Sequence, residues 1–190
     1  MINTGIQPNT VFFNMIMGSL SKEARVMEAH NILHLMVHIG VKPNVITYST
    51  LIDGCCLARK MDEAMKLLDD MVTADLQPNV ILYNTLINGY CLDGKMDEAM
   101  TLFAGMVAAG LQPDDVTYGT VINGHCKKGR TGDGLALIRD MLNKGIRPNV
   151  VTYNIVLQGL LRTGRTAAAM DLRLIDSGTR FDIVIFSHTE

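Results

Sequence analysis

His30, His34 and His38 stand four residues apart, a spacing that stacks them on one helix face and could hold a zinc ion. Asp62-Glu63 and Asp97-Glu98 offer adjacent carboxylates, the raw material of general acid–base catalysis. Gly89–Lys95, GYCLDGK, comes within one residue of a phosphate-binding loop, G-x-x-x-x-G-K-[ST]. Cys56, Cys91 and Cys126 could ligate a metal if they converged. Each of these chemistries meets an objection in the same sequence. The positions matching the histidines one and two units on are Met65, Asp69, Thr73 and Met100, Ala104, Ala108, and H-E-x-x-H does not occur. Met96 stands where the phosphate loop needs a hydroxyl, and the matching stretches Gly124–Thr131 and Gly159–Thr166 carry arginine in place of lysine. The carboxylate pairs recur at expected helix starts, where they favour the positive end of the helix dipole. No Ser/His/Asp or Cys/His set rises above this recurrence, so no enzyme activity, metal, cofactor or small-molecule substrate is expected.

The recurrence itself is the strongest signal. All five prolines, Pro8, Pro43, Pro78, Pro113 and Pro148, are spaced by 35 residues. A fixed period of this size marks stacked helical repeats. Cys56, Cys91 and Cys126 follow the same period, with Cys55 extra, so they fall on separate helices and cannot share one metal. They read as small core residues in a reducing compartment.

Counting from the second residue after each proline gives repeat 1 at 10–44, repeat 2 at 45–79, repeat 3 at 80–114 and repeat 4 at 115–149. Residues 1–9 are the tail of a preceding unit. Repeat 5 spans 150–182 with a two-residue deletion near Leu172–Arg173, because Gly178 falls early and Phe181 takes the proline's place. Residues 183–190 open a further unit. Position four is always aromatic (Phe13, Tyr48, Tyr83, Tyr118, Tyr153) and position twenty small (Ala29, Ala64, Ala99, Gly134, Ala169). Position 27 is Met36, Met71, Met106 and Met141, and position 16 a cation (Arg25, Lys60, Lys95, Arg130, Arg165). Each unit therefore reads as two helices. Gly94, Gly129 and Gly164 mark the turn between them, and Gly40, Gly110 and Gly145 end the second. The expected fold is all-α, a right-handed α-solenoid of helix–turn–helix repeats.

Bulk properties agree. The net charge of −2 lacks the basic footprint usual in nucleic-acid binding and predicts weak non-specific affinity. No apolar run reaches the roughly 18 residues needed to span a bilayer, so no membrane partner is expected. The opening MINTGIQPNTVFFNM has neither a secretory nor a transit-peptide pattern.

The strings VITYSTLIDGCC and VILYNTLINGYC, with GKMDEAMTLF and G-[IL]-x-P-[ND], resemble the pentatricopeptide repeat family over nearly the whole chain. Uniform 35-residue units are similar to its P-type subclass, and GRTAAAM and SGTRFDI to its fertility-restorer-like branch in plants. The resemblance implies single-stranded RNA as partner, a mitochondrial or plastid location, and a role in processing, stability or translation of organellar transcripts.

It also implies which residues meet RNA. One base per helical repeat is read by two or three side chains. Positions two and five lie three apart on one helix face, and the last position lies beside the next first helix. Position two is Val11, Ile46, Ile81, Val116 and Val151, which in the family sandwich the base; a buried core residue is the rival reading. The reading pairs are Asn14 with Asn44, Ser49 with Asn79, Asn84 with Asp114, Gly119 with Asn149, and Asn154 with Asp182. Ordinary helix-start polarity is the rival here, since Asn and Asp favour such sites. A carboxylate only accepts, suiting the imino N–H of U or G, whereas an amide can donate to a ring nitrogen of A or C. With a short position five leaving room for a purine, the implied sequence is pyrimidine-A-U-A-U from the 5′ end. Lys22, Lys127 and Arg162 match the family's phosphate-facing position thirteen, while Leu57 and Leu92 do not.

Two alternatives stand beside RNA reading. One is a peptide-binding scaffold resembling tetratricopeptide repeats, which have 34-residue units and a Trp signature, against no Trp here. The other is a truncated relative with little RNA affinity, whose Ile183–Phe186 would leave an apolar end exposed.

Overall fold

The computed structural model describes residues 8–165, which fall into nine helices with no strand among them. First helices α1 (Thr10–Lys22), α3 (Val45–Leu57), α5 (Val80–Asp93), α7 (Asp115–Lys127) and α9 (Val150–Arg162) alternate with second helices α2 (Val26–His38), α4 (Met61–Thr73), α6 (Met96–Ala108) and α8 (Thr131–Asn143). The chain divides between Val121 and Ile122 into two compact units. In the first, α3 packs on α1, α4 and α5, and α5 packs on α6; in the second, α8 packs on α9.

Each first helix starts for the same local reason. Its proline has no N–H to extend a helix. The Asn or Asp that follows caps the new helix through Oδ1, which accepts the N–H of the third residue beyond. Thus Asn9 takes Phe12 at 3.0 Å, Asn44 takes Thr47 at 3.0 Å, and Asn79 takes Leu82 at 2.9 Å. Asp114 takes Thr117 at 2.8 Å, and Asn149 takes Thr152 at 3.0 Å. Such caps contribute about 1 kcal/mol each.

Each second helix ends in a Schellman motif on the methionine ladder. The carbonyls of Met36, Met71, Met106 and Met141 accept the N–H of Val41, Leu76, Leu111 and Ile146 at 3.0–3.1 Å. The left-handed residue this needs is Gly40, Gly110 or Gly145, but Asp75 in α4's unit. The methionine side chains are completely buried, as are Ala29, Ala64 and Ala99, whose small size lets paired helices close up. Phe103 meets Tyr118 edge-to-face at 5.3 Å.

The turn between paired helices needs the same conformation, supplied by Gly94, Gly129 and Gly164 but by Ala24 and Arg59 in the first two units. Arg59 uses its awkward position: its guanidinium bonds Asp93 at 2.7 Å and the Leu92 carbonyl at 2.8 Å. Ala24 gains nothing comparable and is exposed. An L residue in this region costs roughly 1 kcal/mol over glycine. Ala24→Gly is therefore expected to stabilise the fold by about 0.5–1 kcal/mol, measured by chemical denaturation.

Candidate nucleic-acid interface

The cap that starts each first helix also fixes what its opening turn presents. Positions four, seven and eight turn into the core, as Tyr48, Leu51 and Ile52 do in α3. Position two then lies on the open side. Val11, Ile46, Ile81, Val116 and Val151 are 64%, 62%, 75%, 56% and 64% exposed. A branched apolar side chain gains about 1.5–3 kcal/mol by full burial, and all five forgo most of that. They are not core residues. Thr50, Thr85 and Thr120, one turn on, donate back to the carbonyls of Ile46, Ile81 and Val116 at 2.7–3.0 Å, so this face offers little besides the apolar ladder.

Beside the ladder, two of the sequence-derived pairs are brought into contact. Asn14 Nδ2 donates to Asn44 Oδ1 at 3.3 Å, and Asn84 Nδ2 donates to Asp114 Oδ1 at 3.3 Å. Ser49 is half-buried and Asn79 exposed. Gly119 and Asn149 belong to different units, and Asn154 is exposed while its partner Asp182 lies outside the described residues. Repeat 5 beyond Arg165, with its deletion and Phe181, lies outside them too.

The last-position residues are thus both helix caps and members of these pairs. The cap consumes Oδ1, so an asparagine has its amide N–H groups left and an aspartate its second oxygen. Burial pushes the Asp114 carboxyl up, but the Thr117 backbone and hydroxyl and the Asn84 amide outweigh it and hold it below its ordinary value. Asp114 is therefore an anionic acceptor at neutral pH.

Lys22, Lys127 and Arg162 are exposed at the ends of α1, α7 and α9. Within the second unit, Lys127 and Arg162 line a cavity of about 200 Å³ with Asn123 and Gln158. Arg162 Nη2 donates to the Cys126 carbonyl at 2.5 Å, which aims the guanidinium and leaves its other donors for a ligand. The equivalent ends of α3 and α5 present Leu57 and Leu92, 60% and 52% exposed.

The other candidate chemistries lack geometry. Among the described residues no three His, Cys, Asp or Glu side chains gather as a metal site. His30 Nδ1 lies 3.3 Å from the Val26 carbonyl of its own helix. Asp62, Glu63, Asp97 and Glu98 occupy the first turns of α4 and α6, and Glu63 pairs with Lys60 at 3.1 Å. Gly89 sits inside helix α5 instead of following a strand, which a phosphate loop requires. Cys55 and Cys126 are buried, but Cys56 and Cys91 are only half-buried, short of the full burial expected for them. Burial, with Glu63 near Cys55 and with Cys55, Asp53 and Asp93 near Cys56, pushes the two thiols up to about 11 and about 12. They stay protonated and unreactive at neutral pH.

Thr47, Thr117 and Thr152 at position three are buried, and their hydroxyls lie against the last-position caps. An Asn or Asp followed three residues later by Thr is the signal that would have found them.

Comparison with known proteins adds to this geometry. Profiles of the PPR repeat family match residues 78–127 and 113–162, and PPR repeat profiles match 39–72 and 11–41. No curated protein matches the sequence. The pentatricopeptide repeat protein PPR10 from maize superposes with a TM-score of 0.81 at 29% identity, covering 90% of this chain and 25% of that one. PPR10 in complex with an 18-nt psaJ RNA element superposes at 0.77 with 30% identity, covering 88% and 25%. The PPR domain of Arabidopsis thaliana protein-only RNase P 1, in complex with tRNA, shares the fold at 0.71 with 19% identity, covering 92% and 93%. The chain spans about a quarter of the length of PPR10.

Proposed function

The chain belongs to the pentatricopeptide repeat family, and from that premise we propose that it binds single-stranded RNA, reading one base per repeat. The observation that carries this reading is Asn84 of α5 hydrogen-bonded to Asp114 at the start of α7, with the exposed aliphatic side chains Ile81 and Val116 at position two of the same two helices. A base inserted between them would cover apolar surface on both faces. Its edge would meet Asp114, which can only accept, and uracil offers an imino N–H there. Asn14 with Asn44, with Val11 and Ile46 at position two of their helices, presents amide donors and suits a pyrimidine. Ser49 with Asn79 leaves room for adenine. Gly119 with Asn149 and Asn154 with Asp182 extend the reading to A and U by the same logic.

The 30% identity to PPR10, a protein seen with an RNA element, supports RNA as the ligand. The reading places the chain in the P-type subclass and its fertility-restorer-like branch, acting on transcripts in mitochondria or plastids. In this reading it is a binding module without catalytic chemistry of its own.

Purified protein titrated with pyrimidine-A-U-A-U RNA and with a scrambled RNA tests the proposal. The cognate sequence should bind tighter. With Lys22, Lys127 and Arg162 as the phosphate contacts, log affinity should fall with log salt at a slope of roughly −2. Equal binding to both RNAs, or binding only to peptide, would contradict it.

A further inference from the structure

The third-position threonines sit where a hydroxyl can tie a reading pair together. In the first pair, Thr47 Oγ1 accepts the Asn44 N–H at 3.1 Å and lies 2.8 Å from Asn14 Oδ1 and 3.0 Å from Asn44 Oδ1. A hydroxyl has one hydrogen, and the shorter path takes it to Asn14. Thr47 thereby links both members of the pair. In the third pair, Thr117 Oγ1 accepts the Asp114 N–H at 3.1 Å and donates to Asp114 Oδ1 at 2.7 Å. The carboxylate, the stronger acceptor, has drawn the hydrogen away from position five. Asn84 Oδ1 is correspondingly buried without a hydrogen-bond partner. Every bond described to the Asp114 carboxylate ends on Oδ1, which leaves Oδ2 for a base. The second pair has no such group, because Leu82 occupies its third position.

We propose that Thr47 and Thr117 are positioning residues that set how sharply their reading pairs discriminate bases. The Thr117 hydroxyl holds Asp114 Oδ1 inward directly, whereas the Thr47 hydroxyl holds Asn14 Oδ1, and the Asn14 amide in turn donates to Asn44 Oδ1. With Oδ1 fixed there, the amide N–H groups of Asn44 and the second carboxylate oxygen of Asp114 are the groups turned toward a base. Without the hydroxyl the side chain keeps its backbone cap but gains rotational freedom, and the wrong base is rejected less strongly. This inference rests on the base-reading assignment above.

The test uses the full chain and RNAs that vary only at the first or third base. Thr117→Val keeps the buried shape and removes the hydroxyl. The preference for U over C at the third base should fall about fivefold, the worth of one net hydrogen bond. Discrimination at the first base should not change. Thr47→Val should do the reverse. Thr117→Ser, which restores the hydroxyl, should recover the U preference, separating positioning from loss of fold, with helical content and thermal melting followed for every variant. Asp114→Asn serves as the control. If it shifts the third-base preference while Thr117→Val does not, or if Thr117→Val weakens all RNAs equally, the threonine inference is overturned and base reading stands. If neither variant alters base preference, both are overturned.

Discussion

Replacing Ile46, Ile81 and Val116 together with serine is expected to cost roughly a hundredfold in RNA affinity while leaving the fold intact. Each residue is more than half exposed, so each change should alter stability by no more than about 0.5 kcal/mol. Each also removes apolar area that a bound base would cover, worth about 1 kcal/mol, and three such losses correspond to about two decades in Kd. The protein supplies its own control. Val37, Val72 and Val107 form a second ladder on α2, α4 and α6, exposed by 56%, 52% and 44%. The matching serine triple there should bind RNA normally. Fluorescence anisotropy with thermal melts would check both, and equal losses from the two triples would show that the first-helix ladder has no special role.

Gly54→Ala is expected to destabilise the fold by about 1–2 kcal/mol, whereas Gly89→Ala should be close to neutral. Both glycines lie at position ten of a first helix and face the preceding one. A Cβ on Gly54 would fall 2.6 Å from Ser21 Oγ, 2.7 Å from Ser21 Cβ and 3.1 Å from Ser21 Cα. Two of those atoms move only with the backbone, so α1 and α3 would have to separate. Overpacking of this kind costs about 1–3 kcal/mol, against a gain of up to about 1 kcal/mol from alanine's helix propensity. On Gly89 the close atoms are Met61 Sδ at 2.7 Å and Cε at 2.9 Å, the end of a flexible side chain. Chemical denaturation of the two variants should separate them, and equal stabilities would mean that α1 and α3 yield more readily than their spacing implies.

These glycines show where the sequence was legible and where it was not. The proline, aromatic and methionine ladders could be read because each recurs with one residue type, and a period needs no three-dimensional knowledge. Gly89 and Gly159 were also visible, but as the first letters of phosphate-loop look-alikes. Their work is steric, and it depends on what lies across the helix contact. Cys56 Sγ stands 3.2 Å from a Cβ on Gly89, and Cys126 Sγ 3.1 Å from one on Gly159. At Cys56 and Cys126 the cysteine period thus sets a small residue against the next unit's glycine. Ala24, Arg59 and Asp75 in the left-handed region were not foreseeable from residue type, because the Schellman turns hold them there.

The candidate site was legible in its residues more than in its bonds. Pair membership is what the family resemblance implies once the register is set. That Asn44 and Asp114 spend Oδ1 on capping α3 and α7 is seen only in the bonds it accepts from Thr47 and Thr117. Helix-start polarity, the rival reading of these residues, is real, and it orients the groups proposed to read bases.

The most direct measurement is the affinity of the wild-type chain and Asp114→Asn for four RNAs that differ only at the third base. The wild type should prefer U. The variant exchanges an acceptor for a donor and should shift its preference to C, with the other base positions unchanged. Identical third-base profiles for the two proteins would contradict base reading by this repeat.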